Sequence, residues 1–249
     1  TSGFKQHLTY LVGTMATLSL QVYGCCKSQF LKEQHVDLSL EVPGSAHNQL
    51  QNAYSFVPPS LQSQKALHME FGVREGGSIN MMANYTGAKV RWDGFDSFQG
   101  LPKNIRANGI AGWHEKRYTT QGRLPTVPKH VHLHAGWFNE TLPPFLDKQL
   151  ALGRGQVAFM NMDADLYVST ITVFDAVFSR CMHRNGTVIS FDELFGTKDI
   201  LAHEWRALNE AAGRYNFSFH FISFARTQSS RFARAAVQIH SCGVQCSQC

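Results

Sequence analysis

Two apolar runs that each end in carboxylates constrain this chain more than any other feature. Val157 to Met162 runs into Asp163-Ala164-Asp165, and Thr187 to Phe191 runs into Asp192-Glu193. Between them Tyr167, Ile171, Phe174, Phe178 and Cys181 recur at steps of three and four, the period of one helix face, and Asn185-Gly186 supplies a break. Strand, helix and strand in that length make a βαβ unit, whose strands must run parallel. Neighbouring strands lie about 4.8 Å apart. If these two are neighbours, Asp163 and the Asp192-Glu193 pair converge at one carboxyl edge, which is where ligands bind in open α/β sheets.

The same alternation extends along the chain. Ala66 to Phe71 reads as a first strand and Ser78 to Tyr85 as the start of a helix, with Lys89 to Phe95 as a second strand. His130 to His134 is a third strand, and Pro144 to Leu150 begins a helix. Asp199 to Ala212 reads as a helix capped by Gly213. Phe217 to about Phe224 and Ala233 to His240 close the chain as two strands with no helix between them. Alternating strands and helices indicate a parallel, doubly wound α/β sheet, and the closing pair indicates a terminal antiparallel hairpin. Ser97 to Pro128 is long, polar and turn-rich, and loops of that length are usually functional or disordered.

At 249 residues, with no Pro/Ser/Gly-rich linker, the chain reads as one domain over 64–241, an N-terminal extension over 1–63 and a Cys-containing tail over 242–249. The hydrophobic share of 43% suffices for a core. The net charge of +5 is mild and its basic residues are scattered, which argues against a nucleic-acid surface. Leu8 to Tyr23 is mostly apolar. It reads either as a helix packed on or peripheral to the domain, with membrane association open to it, or as a targeting segment. A cytoplasmic location is expected, with a secretory or membrane-anchored one as the alternative, and a homo-oligomer is left open. Cys242, Cys246 and Cys249 share the spacing of a radical-enzyme iron–sulfur site but end the chain; a frayed tail, a disulfide to Cys25 or Cys26, or an adventitious zinc site fits better. Sequons at Asn84, Asn139, Asn185 and Asn216 matter only in a secreted protein.

Each strand end carries a motif with two readings. Glu70-Phe71-Gly72-Val73-Arg74-Glu75-Gly76-Gly77-Ser78 is a glycine-rich strand-to-helix turn, which either lets a ligand approach the backbone or satisfies a steric need. Asp96-Ser97 ends the second strand, where an acid binds ribose hydroxyls or caps a turn. Gly136-Trp137-Phe138 follows the third strand, where the aromatics cover an adenine face or belong to the core. His130, His132 and His134 share one strand face but span about 13 Å, too far for one ion. Oxygen-only donors at Asp163, Asp165, Asp192 and Glu193 suit Mg²⁺ or Mn²⁺, and Asp165 alone also reads as a helix N-cap.

Taken in order, Glu70 to Ser78, Gly94 to Pro102, Gly136 to Pro143, Met162 to Thr170 and Phe191 to Leu194 resemble the macrocin O-methyltransferase family of class I S-adenosylmethionine-dependent enzymes. The resemblance runs from about Leu67 to Ile239. It implies a Rossmann-like sheet of seven strands with an antiparallel last strand. It implies that Glu70, Gly72, Gly76 and Ser78 surround the methionine part of S-adenosylmethionine, that Asp96 with Ser97 binds ribose, and that Gly136, Trp137 and Phe138 border the adenine. Asp163, Asp192 and Glu193 fall on the family's metal-ligand positions and Asp165 on its general base. Glu193 departs from the Asp-Asp pair common in the family.

The expected activity is metal-assisted methylation of a hydroxyl on a small molecule, sugar- or polyol-like or catecholic. Two rivals stand beside it. One reads Asp163-Ala164-Asp165 as the D-x-D of a metal-dependent glycosyltransferase, which leaves the glycine-rich turn and Asp96 unexplained. The other is a methyltransferase-like binding protein without activity.

Overall fold

The computed structural model describes residues 40–43, 46–102, 114, 116–196, 198–226 and 232–240. The Leu8 to Tyr23 segment, Cys25, Cys26 and the tail cysteines lie outside the described residues. Among the described residues no helix is long and apolar enough to cross a membrane.

The elements in chain order are α1 (Ala46–Ser55), β1 (Leu67–Phe71), α2 (Gly77–Thr86), β2 (Trp92–Asp96), β3 (Val131–Ala135), α3 (Phe138–Ala151) and β4 (Val157–Met162), followed by α4 (Tyr167–Phe178), β5 (Val188–Gly196), α5 (Lys198–Leu201), α6 (Glu204–Arg214), β6 (Ser218–Arg226) and β7 (Phe232–His240). The sheet order is β3-β2-β1-β4-β5-β7-β6. Strands β1 to β5 pair in parallel, and β7 runs antiparallel to both β5 and β6. The expected doubly wound sheet and closing hairpin are therefore both present.

Parallel strands covered on both faces read as nearly continuous apolar runs, because each face needs its own buried set. In β1 the two faces separate residue by residue. Leu67, Met69 and Phe71 join the core under α3, α4 and α6, where Leu146, Phe174 and Leu208 are fully buried. His68 and Glu70 face the other layer, where Tyr54 of α1 reaches His68 (3.3 Å) and Ser78 of α2 reaches Glu70 (2.7 Å). Helix α1 thus packs on the sheet with Leu50, Ala53 and Tyr54 in the second core.

Three elements differ from expectation. Helix α3 starts at Phe138 rather than Pro144 and carries Pro143 and Pro144 inside it. Those prolines lack the N–H groups that would bond back to Asn139 and Glu140, but the turn survives on Glu140 and Thr141 donating to the Trp137 carbonyl (2.9 and 3.0 Å). The expected helix over 199–212 is split into α5 and α6 at His203, whose φ and ψ are both −107°. Helix α6 also runs through Gly213 to Arg214, so Gly213 is not its cap.

Register places the chemistry. Met162 pairs with Phe71 on one side and Phe191 on the other, while Phe71 pairs with Phe95 and Asp96 with Ala135. The next residues, Gly72, Asp163 and Asp192, therefore stand beside Asp96 along one carboxyl edge. Chain order reverses between β1 and β4, the switch point where such sheets bind ligands.

Candidate active site

A cavity of about 560 Å³ opens at this edge. Of the residues expected to hold a cofactor, Gly72, Asp96, Ser97, Gly136, Trp137 and Phe138 line it, and so do all four acids Asp163, Asp165, Asp192 and Glu193. A second, polar cavity of about 190 Å³ adjoins it and shares Asp163 and Asp192; Ser78 lines this one with His47 and Gln49. Glu70 and Gly76 line neither. Glu70 is fully buried beneath the edge and accepts hydrogen bonds from Ser78 Oγ (2.7 Å) and Asn161 Nδ2 (3.1 Å), so it braces the turn from below. Gly76 is the N-cap of α2 in a left-handed conformation (φ 81°), where a Cβ would press on Pro125 at 2.8 Å.

Asp96 does the turn work that its position suggested. Its Oδ2 accepts the Arg74 N–H (2.7 Å) and its Oδ1 the Phe98 N–H (2.6 Å). Each carboxylate oxygen keeps a second acceptor site, so the stitched turn still presents an acceptor pair to the cavity. Phe138 has a double role as well, packing edge-on against Phe71 of the core (5.5 Å) while lining the cavity. Asp165 is not a helix cap. Leu166 holds the N-cap position of α4 with no side-chain bond, and the Tyr167 N–H donates instead to His203 Nδ1 (3.1 Å). Asp165 has a left-handed backbone (φ 57°), rare outside glycine and costly unless the surroundings impose it.

The sequence profile of the macrocin O-methyltransferase (TylF) family matches residues 62–212. The chain belongs to this family. It is an S-adenosylmethionine-dependent O-methyltransferase, and the glycosyltransferase reading is set aside. Among solved structures it is similar to the calicheamicin methyltransferase CalS11, at 20% identity and a TM-score of 0.54, covering 95% of this chain and 91% of that one. That likeness is one of fold. More distant are cofactor-bound Rv0187 from MTB, at 16% identity, TM-score 0.47 and 80% and 83% coverage, and an O-methyltransferase from Bacillus cereus in complex with SAH, at 17%, 0.41, 80% and 91%. No curated protein matches the sequence.

In this methyltransferase the acids crowd one another at the cavity edge. Burial, then the neighbouring Glu193 and Asp192 charges, push the Asp165 carboxyl up to about 8. Burial, then Asp192, push Glu193 up to about 7. Asp163 is raised well above the carboxylate range by burial and Asp192. A fifth acid that the sequence reading missed, Glu204, belongs to the same group. It is 1% exposed, its Oε1 accepts the Ala164 N–H (3.3 Å), and burial with the Asp165 charge raises it far above its usual range. The only trace of it in the sequence is an acid in the first turn of a helix, an ordinary place for one.

Tyr118 is a second residue the motifs did not single out. It lines the larger cavity from the Ser97 to Pro128 segment, with the Arg74 and Arg117 guanidinium groups 5.5 and 4.7 Å from its ring centre. Residues 103–113 and 115 of that segment lie outside the described residues.

The acids fit a divalent cation in donor chemistry. All are oxygen donors, and among the described residues Glu193 and Glu204 each keep one buried carboxylate oxygen with no hydrogen-bond partner. They do not yet converge as ligands: among the described residues no group of three or more His, Cys, Asp or Glu side chains is placed to hold a metal ion. Asp192 is instead bonded to Arg234 (2.5 Å). The histidine trio is also dispersed. His134 bonds Asp93 (2.9 Å), His130 bonds the Ala83 carbonyl (3.2 Å), and His132 is exposed.

Proposed function

We propose that this enzyme methylates a hydroxyl of a small molecule, sugar- or polyol-like or catecholic, with the help of a divalent cation, Mg²⁺ or Mn²⁺. The observation that carries this reading is the crowding of Asp163, Asp165, Asp192 and Glu193 along one cavity edge beside the glycine-rich turn, with Glu204 buried behind them. Charges so placed are unfavourable without a counter-charge, and ligand sites are where such placement persists.

Asp163, Asp192 and Glu193 would hold the cation, which when bound polarises an acceptor hydroxyl and lowers its pKa. S-adenosylmethionine supplies the sulfonium methyl group. Asp165 takes the hydroxyl proton on its carboxylate; burial and the neighbouring acid charges raise its affinity for a proton, which suits a base. Glu204 fixes the Ala164 N–H and so holds the turn that presents Asp165. Asp96 and the backbone at Gly72 and Gly136 orient the nucleoside side of the cavity. Trp137, Phe138 and Tyr118 line the cavity, and positioning two reactants there supplies most of the acceleration. An acid-lined cavity also disfavours a nucleic-acid acceptor, whose phosphates it would repel.

The test is a screen of sugar and catechol acceptors with methyl-labelled S-adenosylmethionine, with Mg²⁺ or with a chelator. Transfer should require the cation, and Asp163→Asn should abolish it. Full turnover by Asp163→Asn would remove the metal mechanism.

A further inference from the structure

Strand β5 bulges at the acids. Phe191 pairs with Ala235 and Phe195 with Ala233, so Asp192, Glu193 and Leu194 face a single β7 residue, Arg234. A bulge of this kind frees side chains to leave the sheet plane and re-aims them. Arg234 spans the gap, donating from Nε to Asp192 Oδ1 at 2.5 Å, with side chains 22% and 29% exposed.

We propose that Arg234 is the resident counter-cation of Asp192, which a divalent cation must displace, and that this competition sets the cation affinity of the site. The inference rests on the metal reading above. A guanidinium is always charged, so it cannot yield by losing a proton. Arg234 occupies only Asp192 Oδ1, but a dication on either Asp192 oxygen would stand close to the guanidinium, and like-charge repulsion between them weakens the cation's hold and favours the departure of Arg234. Its place among the acids is also specific. Among the described residues Glu193 and Glu204 keep buried oxygens without partners, while Asp192 receives the guanidinium. Displacement has somewhere to go, because Arg234 also lines the polar cavity of about 190 Å³ with Gln49, Ser78 and Ser190. Arg234 is therefore a positioning residue that holds Asp192 out of the ligand set until a cation arrives.

Calorimetric titration of the full chain with Mn²⁺ tests this. Arg234→Met, which keeps the aliphatic stem, should bind Mn²⁺ at least about tenfold more tightly than the parent chain. Arg234→Lys keeps the charge and should stay close to it. If the parent chain binds Mn²⁺ and Arg234→Met binds it equally or more weakly, the competition is refuted and the metal reading stands. If neither binds Mn²⁺, both fall together. A second readout covers loss of folding in the variant. The Arg234 Nε–H resonance, assigned by its absence in Arg234→Lys, should shift at saturating Mg²⁺; an unmoved signal overturns the proposal.

Discussion

A methyl group on Gly72 would stand 1.9 Å from the carbonyl oxygen of Asp163. The turn after β1 and the acid turn after β4 are in backbone contact, and Asp163 N–H donates to the Phe71 carbonyl (2.9 Å) beside it. The glycine-rich turn therefore meets a steric need and borders a ligand cavity at once, so its two readings are not alternatives.

Gly72→Ala should be among the most damaging single changes in the chain. The residue has φ 97°, so the side chain is strained as well as obstructed. We expect a loss of about 3 kcal/mol or more, read as a fall in Tm or as insoluble protein. A folded variant with unchanged Tm would mean the two turns are further apart than described.

The acids set an unusual pH dependence. Burial raises Glu70 to about 7, Glu193 to about 7 and Asp165 to about 8, all above their unfolded values. The folded chain thus holds protons that the unfolded chain has released, and stability falls as pH rises from the unfolded toward the folded values. His68 and His183, lowered to about 4 by burial, act only below about pH 6.5, where the unfolded chain takes up protons. Between about pH 6.5 and about pH 8 the acids act alone, and each extra bound proton costs about 1.4 kcal/mol per pH unit. Without added metal Tm should drop across that window, and Mg²⁺ should reduce the drop. A flat or rising Tm would contradict these raised values.

Glu204 separates charge from hydrogen bonding. Glu204→Gln keeps an acceptor for the Ala164 N–H and removes one acid from the crowd, so its Tm near pH 8 should equal or exceed that of the parent chain. Glu204→Ala leaves that buried N–H unpaired, at a cost of about 1–3 kcal/mol. Equal Tm for the two variants would mean that the bond does not hold the acid turn.

Much of this was legible from residues alone, and the exceptions share a cause. The βαβ unit, the carboxyl-edge acids and the closing hairpin follow from local period, since Val157 to Met162 and Phe217 to Phe224 carry their own pattern. The start of α3 did not, because Pro143-Pro144 looks like a helix beginning when Trp137 had already opened one. The roles of Glu204, Tyr118 and Arg234 come from partners distant in the chain: Ala164, Arg74 and Asp192. The Asp165 capping alternative failed for the same reason, since His203 meets the Tyr167 N–H across the fold. Periodicity reports which face is buried and is silent about what a side chain meets there.

The proposed function turns on whether the acids at this edge bind a divalent cation beside S-adenosylmethionine. The most direct measurement is calorimetric titration of Mg²⁺ into the chain saturated with S-adenosylhomocysteine, set against Asp163→Asn. A single saturable Mg²⁺ site is expected in the parent chain, lost in Asp163→Asn while S-adenosylhomocysteine still binds. Undiminished Mg²⁺ binding by Asp163→Asn, or none in the parent chain, would contradict it.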